Sequence, residues 1–346
     1  MIRFLTALVL ICFLATPAAA LELSPPDVPD GGAIHMPDSN SSFGVGLWQI
    51  FQSVIREIRP DVQAAVSACF SIAGIVILVS IIQSFQSAVK YISNIAGTIA
   101  VATSLFLNAN SMIQLGTKTI TELSEYGKLL LPVMTTAMAA QGGITSSAAI
   151  YTGTTVILSI LSSMIAKVFL PILFCFLALA TVNSVIGEDL LKNMRDLLKQ
   201  FLGWALKIIL TVFTTYISIT GVVSGTTDAA ALKATKVTIS SFVPVVGSIL
   251  SDASEAVLVS IGLAKNAAGI YGIFAILSLF LEPFLKIGFH YLLLKATSSV
   301  CAIFGPKQIC DLINDFSSAM AMLLGMTGTV CTLLLITVIC FMKGIG

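Results

Sequence analysis

Apolar residues run in long blocks from about residue 62 to the C-terminus, a pattern that predicts helices able to cross a membrane. Val62–Ile82 has the ~20 residues a spanning helix needs. Ile92–Leu107 is shorter and rich in Ser, Thr and Ala. Residues 108–128 are polar, with a thin apolar stripe of Ile113, Ile120 and Leu123, and Leu129–Ala140 is apolar but short. Ala148–Ala166 and Val168–Ile186 are divided only by Lys167. Leu202–Val223, Phe242–Ala264, Ala267–Leu281, Phe284–Phe304 and Ala319–Met342 complete the set. The expected fold class is an all-α polytopic integral membrane protein with about 7–9 transmembrane or re-entrant helices. Block lengths leave open whether 129–147 and 242–255 cross the bilayer or dip into it.

The polar positions divide the rest. Arg3, the apolar run Phe4–Leu14 and Ala18-Ala19-Ala20 read as a secretory signal peptide over 1–20. Residues 21–46, rich in Pro, Gly, Ser and Asp, read as a flexible exported arm on the extracytoplasmic side, with His35 solvated. Residues 47–60 predict an amphipathic helix on the membrane surface: Leu47, Ile50, Phe51, Val54, Ile55 and Ile58 recur at helical spacing, and Pro60 is expected to end it. Residues 61–346 form the polytopic domain. Two interfacial amphipathic helices are expected inside it. In Gly187–Phe201, Leu190, Leu191, Met194, Leu197, Leu198 and Phe201 oppose Glu188, Asp189, Lys192, Arg195, Asp196 and Lys199. In Gly305–Phe316, Ile309, Leu312, Ile313 and Phe316 oppose Asp311, Asn314 and Asp315. The basic cluster Lys192, Arg195, Lys199 and Lys207 favours a cytoplasmic 187–201.

The prolines suggest a repeat. Pro132 and Pro171 are 39 residues apart, as are Pro244 and Pro283, and the two pairs are offset by 112. Units 92–201 and 202–318 read either as an internal duplication or as chance spacing.

Composition supports the lipid reading: 57% of residues are hydrophobic, 10% are charged, and mean hydropathy is +1.00. A soluble chain of this length needs more charge to cover its surface. The 18 basic and 17 acidic residues leave no excess to attract nucleic acid. Two His and seven Cys show no metal-ligand spacing, so no metal and no cofactor is expected. Cys301 and Cys310 flank a polar turn and read as free thiols rather than a bonded pair. Phosphate-binding, zinc-protease and nucleophile-elbow motifs are missing, so the chain is expected to be non-enzymatic and to draw any energy from a partner or a gradient.

Two polar constellations stand out. Glu282, Lys286 and His290 lie at i, i+4 and i+8, on one helix face beside a long apolar run. They read either as a stripe lining a pathway or as a helix start at the interface, with Glu282-Pro283 at the N-terminus and Lys286 reaching for water. The second is Ser241–Glu255, where Pro244 and Gly247 interrupt an apolar run that carries Asp252 and Glu255. It reads as a gate, a re-entrant loop, a packing node or a surface turn.

Around this segment the chain resembles a known family. Lys233-Ala234-Thr235-Lys236, Ser241-Phe242-Val243-Pro244-Val245-Val246-Gly247, Leu250-Ser251-Asp252-Ala253 and Lys265-Asn266-Ala267-Ala268-Gly269 resemble the signature of stage III sporulation protein AE. The resemblance covers about residue 60 to the end, and the chain is shorter in the arm before the first span. It implies a polytopic component of the mother-cell-to-forespore channel of endospore-forming bacteria, in the mother-cell membrane around the forespore. It implies as partners a secretion-type ATPase and ring-forming proteins, besides membrane lipid. It implies no catalytic residues; Lys233, Lys236, Phe242, Pro244, Gly247, Ser251, Asp252, Lys265 and Asn266 become motif or gate candidates. A secondary transporter of a small solute, using the Glu282–Lys286–His290 stripe, is the alternative.

Overall fold

The computed structural model describes residues 25–29, 32, 35–37, 42–85, 90–141, 143–186, 191–242 and 247–343; the side chains at 85, 90, 91 and 220–265 lie outside that description. Its elements are helices: α1 (Phe43–Phe85), α2 (Lys90–Ala140), α3 (Ile144–Met164), a π-turn (Ile165–Phe169), α4 (Leu170–Ile186), α5 (Lys192–Phe242), α6 (Gly247–Cys301) and α7 (Lys307–Lys343). Among the described residues there is no strand, and six helical segments are long and apolar enough to cross a membrane. The signal-peptide segment 1–20 lies outside the described residues.

Several predicted blocks are fused: Pro60, expected to end a helix, does not, and two other prolines lie within helices as well. Pro60 lies inside α1, Pro132 inside α2 and Pro283 inside α6. A helix-interior proline costs about 3 kcal/mol. In α1 one buried stripe runs through it: Ile50, Val54, Ile58, Ala65, Ile72, Val76 and Val79 are all buried. Pro60 itself is exposed, off the buried stripe. Lys167, expected to divide two spans, sits exposed in the middle of the π-turn. The turn's wider winding lets Ile165 and Phe169 both stay in the core. At ~1.5 Å per residue α6 is roughly 80 Å long, against a hydrocarbon layer of ~30 Å, so it extends well past one bilayer core or lies strongly tilted.

The last helix is the hub. α7 packs against α2, α3, α4, α5 and α6, and Ile309, Leu312, Ile313, Phe316, Leu323, Met326, Val330, Leu334 and Val338 are fully or almost fully buried along it. Hydroxyls fix its neighbours. Ser298 donates to the Cys310 carbonyl at 2.9 Å and Ser317 to the Tyr291 carbonyl at 3.1 Å, which sets α6 antiparallel to α7. Ser184 donates to the Gln308 carbonyl at 2.7 Å, and Thr154 meets Thr337 at 3.4 Å, so the α3–α4 rod is antiparallel to α7 as well.

α2 lies parallel to α7, and glycine sets how near they come. A Cβ on Gly116 would stand 2.8 Å from Leu323, and one on Gly127 would stand 2.7 Å from Leu334. Both glycines and both leucines are eleven residues apart, so the two notches hold one register over three turns. α1 runs parallel to the second half of α6, from the Asp61–Lys286 pair at 2.8 Å to Ser80, which donates to the Phe304 carbonyl.

The two amphipathic stretches behave differently. The apolar face of 305–316 is buried as its pattern demands. That of 187–201 is split over its described part: Leu198 packs on the core while Met194, Leu197 and Phe201 face outward, and of the polar face Arg195 and Lys199 reach α7 while Lys192 and Asp196 are exposed. Arg195 is held by Asp315 at 2.5 Å and Lys199 donates to Ser318 at 3.0 Å. The physical reason is an apolar surrounding: beside lipid, apolar side chains belong outside and charges pair within the bundle.

Helix ends at Ile186 and Cys301, and starts at Lys192 and Lys307, recur 115 residues apart, whereas the ends at Ala140 and Phe242 are 102 apart. Helix boundaries therefore do not repeat at the single offset the prolines suggest. Cys301 and Cys310 are free thiols, both buried.

Candidate functional site

The site is a closed set of charges between α1, α6 and the segment preceding α1. α6 supplies Glu282 and Lys286 one turn apart, and Lys286 Nζ lies 2.6 Å from Glu282 Oε1. α1, running parallel, supplies Ser53, Glu57 and Asp61, also spaced by four. Lys286 Nζ reaches Asp61 Oδ2 at 2.8 Å, so one ammonium bridges carboxylates of two helices. The Lys286 and Glu282 side chains are 19% and 17% exposed, while Asp61 is about half exposed at 48%.

His35 closes the set from the third side. Its Nε2 lies 3.2 Å from Glu282 Oε2 and 3.6 Å from Glu57 Oε2. Its Nδ1 lies 3.0 Å from Ser53 Oγ. The Ser53 hydroxyl donates to the Ile50 carbonyl at 2.8 Å, so Ser53 Oγ accepts from the ring. Carboxylates only accept, and the contacts are satisfied together when both ring nitrogens donate.

The sequence expectation of a solvated His35 is corrected: the residue is 2% exposed. Its neighbours explain why. Val28 and Met36 pack on the core, and Gly32 lies so close to α6 that a Cβ there would stand 2.8 Å from Leu279. Val28, Gly32, His35 and Met36 thus form a packed strap, with Met36 against the small cluster of Ile50, Val54, Ile58 and Phe274, while residues 42–45 are exposed. Helix α1 begins at Phe43, within the expected arm, and Phe43 stacks on Phe274 with ring centroids 5.3 Å apart.

Of the predicted stripe, Glu282 and Lys286 are brought together. His290 is partly buried and turned to its own helix, its Nδ1 lying 3.1 Å from the Lys286 carbonyl. The helix-start reading of Glu282-Pro283 is corrected, since α6 begins at Gly247 and runs through Pro283. Ser53, Glu57, Asp61 and His35 were not foreseen. A usable signal was present: Ser53, Glu57 and Asp61 repeat the i, i+4, i+8 spacing of Glu282, Lys286 and His290, and two such stripes invite pairing. Nothing in the pattern of residues 25–37 pointed to His35.

The signature stretch falls mostly beyond reach. Pro244 lies outside the described residues. Lys233, Lys236 and Phe242 lie on α5, and Gly247, Ser251, Asp252 and Lys265 on α6, with side chains outside the description. Asn266 is exposed. At the end of the stretch, Ala268 is buried and Gly269 packs against Met342 of α7 and Met134 of α2. Among the described residues no group of His, Cys, Asp and Glu is arranged to hold a metal ion.

The family model of stage III sporulation protein AE matches residues 38–344. The chain belongs to the stage III sporulation protein AE family. Stage III sporulation protein AE of Bacillus subtilis (strain 168) is 22% identical to it over 299 residues, covering 85% of this chain and 74% of that protein. No solved structure matches. Membership gives the chain a role in sporulation, in a family that is not a known enzyme family. The AE match includes α1 to α7 and all of the charge set except His35, which stands just before its first matched residue.

Proposed function

We propose that this chain is a non-enzymatic membrane platform or conduit component of the mother-cell-to-forespore channel needed for endospore formation. The observation that carries the reading is the family match from residue 38 to 344, over a chain whose described part contains six helices fit to cross a membrane. In this reading the protein sits in the mother-cell membrane around the forespore, with residues 21–46 on the extracytoplasmic side. Its partners are a secretion-type ATPase and ring-forming proteins, which supply the energy and the ring that this chain lacks motifs for. The charge set then works as a clamp. It fixes the strap to α1 and α6, so the surface offered to partners is rigid.

One observation favours a second reading, a secondary transporter: charged side chains sit inside an otherwise apolar bundle. The clamp argues for the platform, because each of its charges already has a partner. The experiment is copurification from sporulating cells after detergent extraction. The platform reading expects the ATPase and ring proteins to come with this chain. A chain that runs alone and moves a small solute into liposomes would overturn it.

A further inference from the structure

Beside α7, away from the clamp, lies a cavity of about 550 Å³ between α5, α6 and α7. Three ammonium groups line it: Lys199 and Lys207 from α5 and Lys295 from α6. Lys199 and Lys295 donate to neutral acceptors, Ser318 Oγ at 3.0 Å and Asn314 Oδ1 at 2.6 Å, and Lys199 also feels the Asp315 carboxylate without pairing to it. Among the described residues none of the three has an ion-pair partner. The adjacent buried carboxylate, Asp315, is occupied by Arg195. Leu206, Leu210 and Met322 give the cavity an apolar lining, recessed at Gly325, where a Cβ would stand 3.6 Å from Leu206.

We propose that this cavity binds an anionic phospholipid, its phosphodiester between the three lysines and its acyl chains along the apolar wall. Three observations select this ligand. Three ammonium groups share one carboxylate that Arg195 already holds, and the surplus positive charge asks for an anion. Lys199 and Lys295 meet α7 at Ser318 and Asn314, and Leu206, Leu210 and Met322 lie farther along the cavity with Lys207 at its edge, a division that fits a molecule with an anionic head and apolar tails. The outward flank of α5 presents Leu197, Phe201, Trp204, Ile208 and Val212 to the surroundings, so the cavity opens onto a surface already suited to hydrocarbon. A soluble phosphate compound would satisfy the lysines and leave the apolar lining uncovered.

The test uses the purified full-length chain in a neutral detergent. Thermal unfolding is followed on titration with phosphatidylglycerol, phosphatidylcholine or inorganic phosphate. Phosphatidylglycerol is expected to raise the midpoint, with the other two much weaker. Lys207→Gln with Lys295→Gln is expected to weaken the phosphatidylglycerol response about 30-fold, a factor of about five for each charge removed. Lys207→Arg with Lys295→Arg keeps the charge and is expected to keep the response. Both lysines are exposed, and unfolding without lipid reports directly whether a variant folds. Equal protection by phosphatidylcholine would reduce the cavity to an apolar groove and overturn the proposal. Equal protection by phosphate would make the ligand a free anion and overturn it too, as would a double-Gln variant that responds like the parent.

Discussion

Replacing Lys286 by Met keeps the length of the side chain and deletes the charge that joins α1 to α6. The structure sets the size of the loss. Two charge-assisted contacts disappear, at 2.6 Å to Glu282 and 2.8 Å to Asp61. A hydrogen bond to a charged group contributes about 1.5–3 kcal/mol. The Asp61 contact belongs near or below that lower bound, because a half-exposed carboxylate is rehydrated when its partner leaves. Glu282 is more enclosed but keeps His35 at 3.2 Å. The expected loss is therefore about 2–4 kcal/mol. Much of it should be the cost of a carboxylate left facing two others, so adding Glu282→Gln to Lys286→Met should restore at least half. Equilibrium unfolding of the purified chain in mixed micelles measures the parent, both single variants and the double variant. If the two single effects add to within about 0.5 kcal/mol in the double, the two residues are not coupled and the clamp is refuted.

Three further predictions concern the strap, the α2–α7 contact and the signature stretch. His35→Ala should release the strap, so that limited proteolysis cuts within 25–37 faster while α1 to α7 stay intact; an unchanged cleavage rate would show that Val28 and Met36 hold it without the ring. Gly127→Leu should destabilise the bundle by about 1–3 kcal/mol through collision with Leu334 and Leu158, and Leu334→Ala in the same chain should relieve part of that loss in the same unfolding assay. Pro244→Ala and Asp252→Asn are expected to block forespore development with protein level unchanged, read as heat-resistant spore counts beside an immunoblot; a drop in protein level would assign those residues to folding instead.

The all-helical class of the fold was legible because lipid leaves a blunt mark on composition, but the described residues hold six segments fit to cross a membrane against the expected 7–9. The joins between blocks were not legible. Pro60 is a stop signal and Lys167 a divider in a local reading, but a stripe such as Ile50–Val54–Ile58–Ala65–Ile72 keeps its phase across the proline, and burial of the whole stripe outweighs one lost hydrogen bond. The orientation of 192–201 was missed for a related reason. An amphipathic pattern gives two faces, and which one points inward depends on whether water or lipid lies outside. In the site, the Glu282–Lys286 pair follows from helical spacing alone. Asp61 and His35 are distant in sequence, 221 residues from Glu282 in one case and 247 in the other, and only the packing of α1 and the strap on α6 brings them in.

The paired notches of α2 and α7 limit how the bundle can move. Leu323 sits at Gly116 and Leu334 at Gly127, so sliding one rod along the other would lift both leucines over neighbouring side chains at once. The smallest displacement that regains a helical match is one turn, about 5.4 Å, and it would leave both glycines facing the wrong residues. Piston motion between them is blocked, and the two behave as a single beam. Any force a partner applies at the 302–306 end is delivered to the opposite end as tilt, not as stroke.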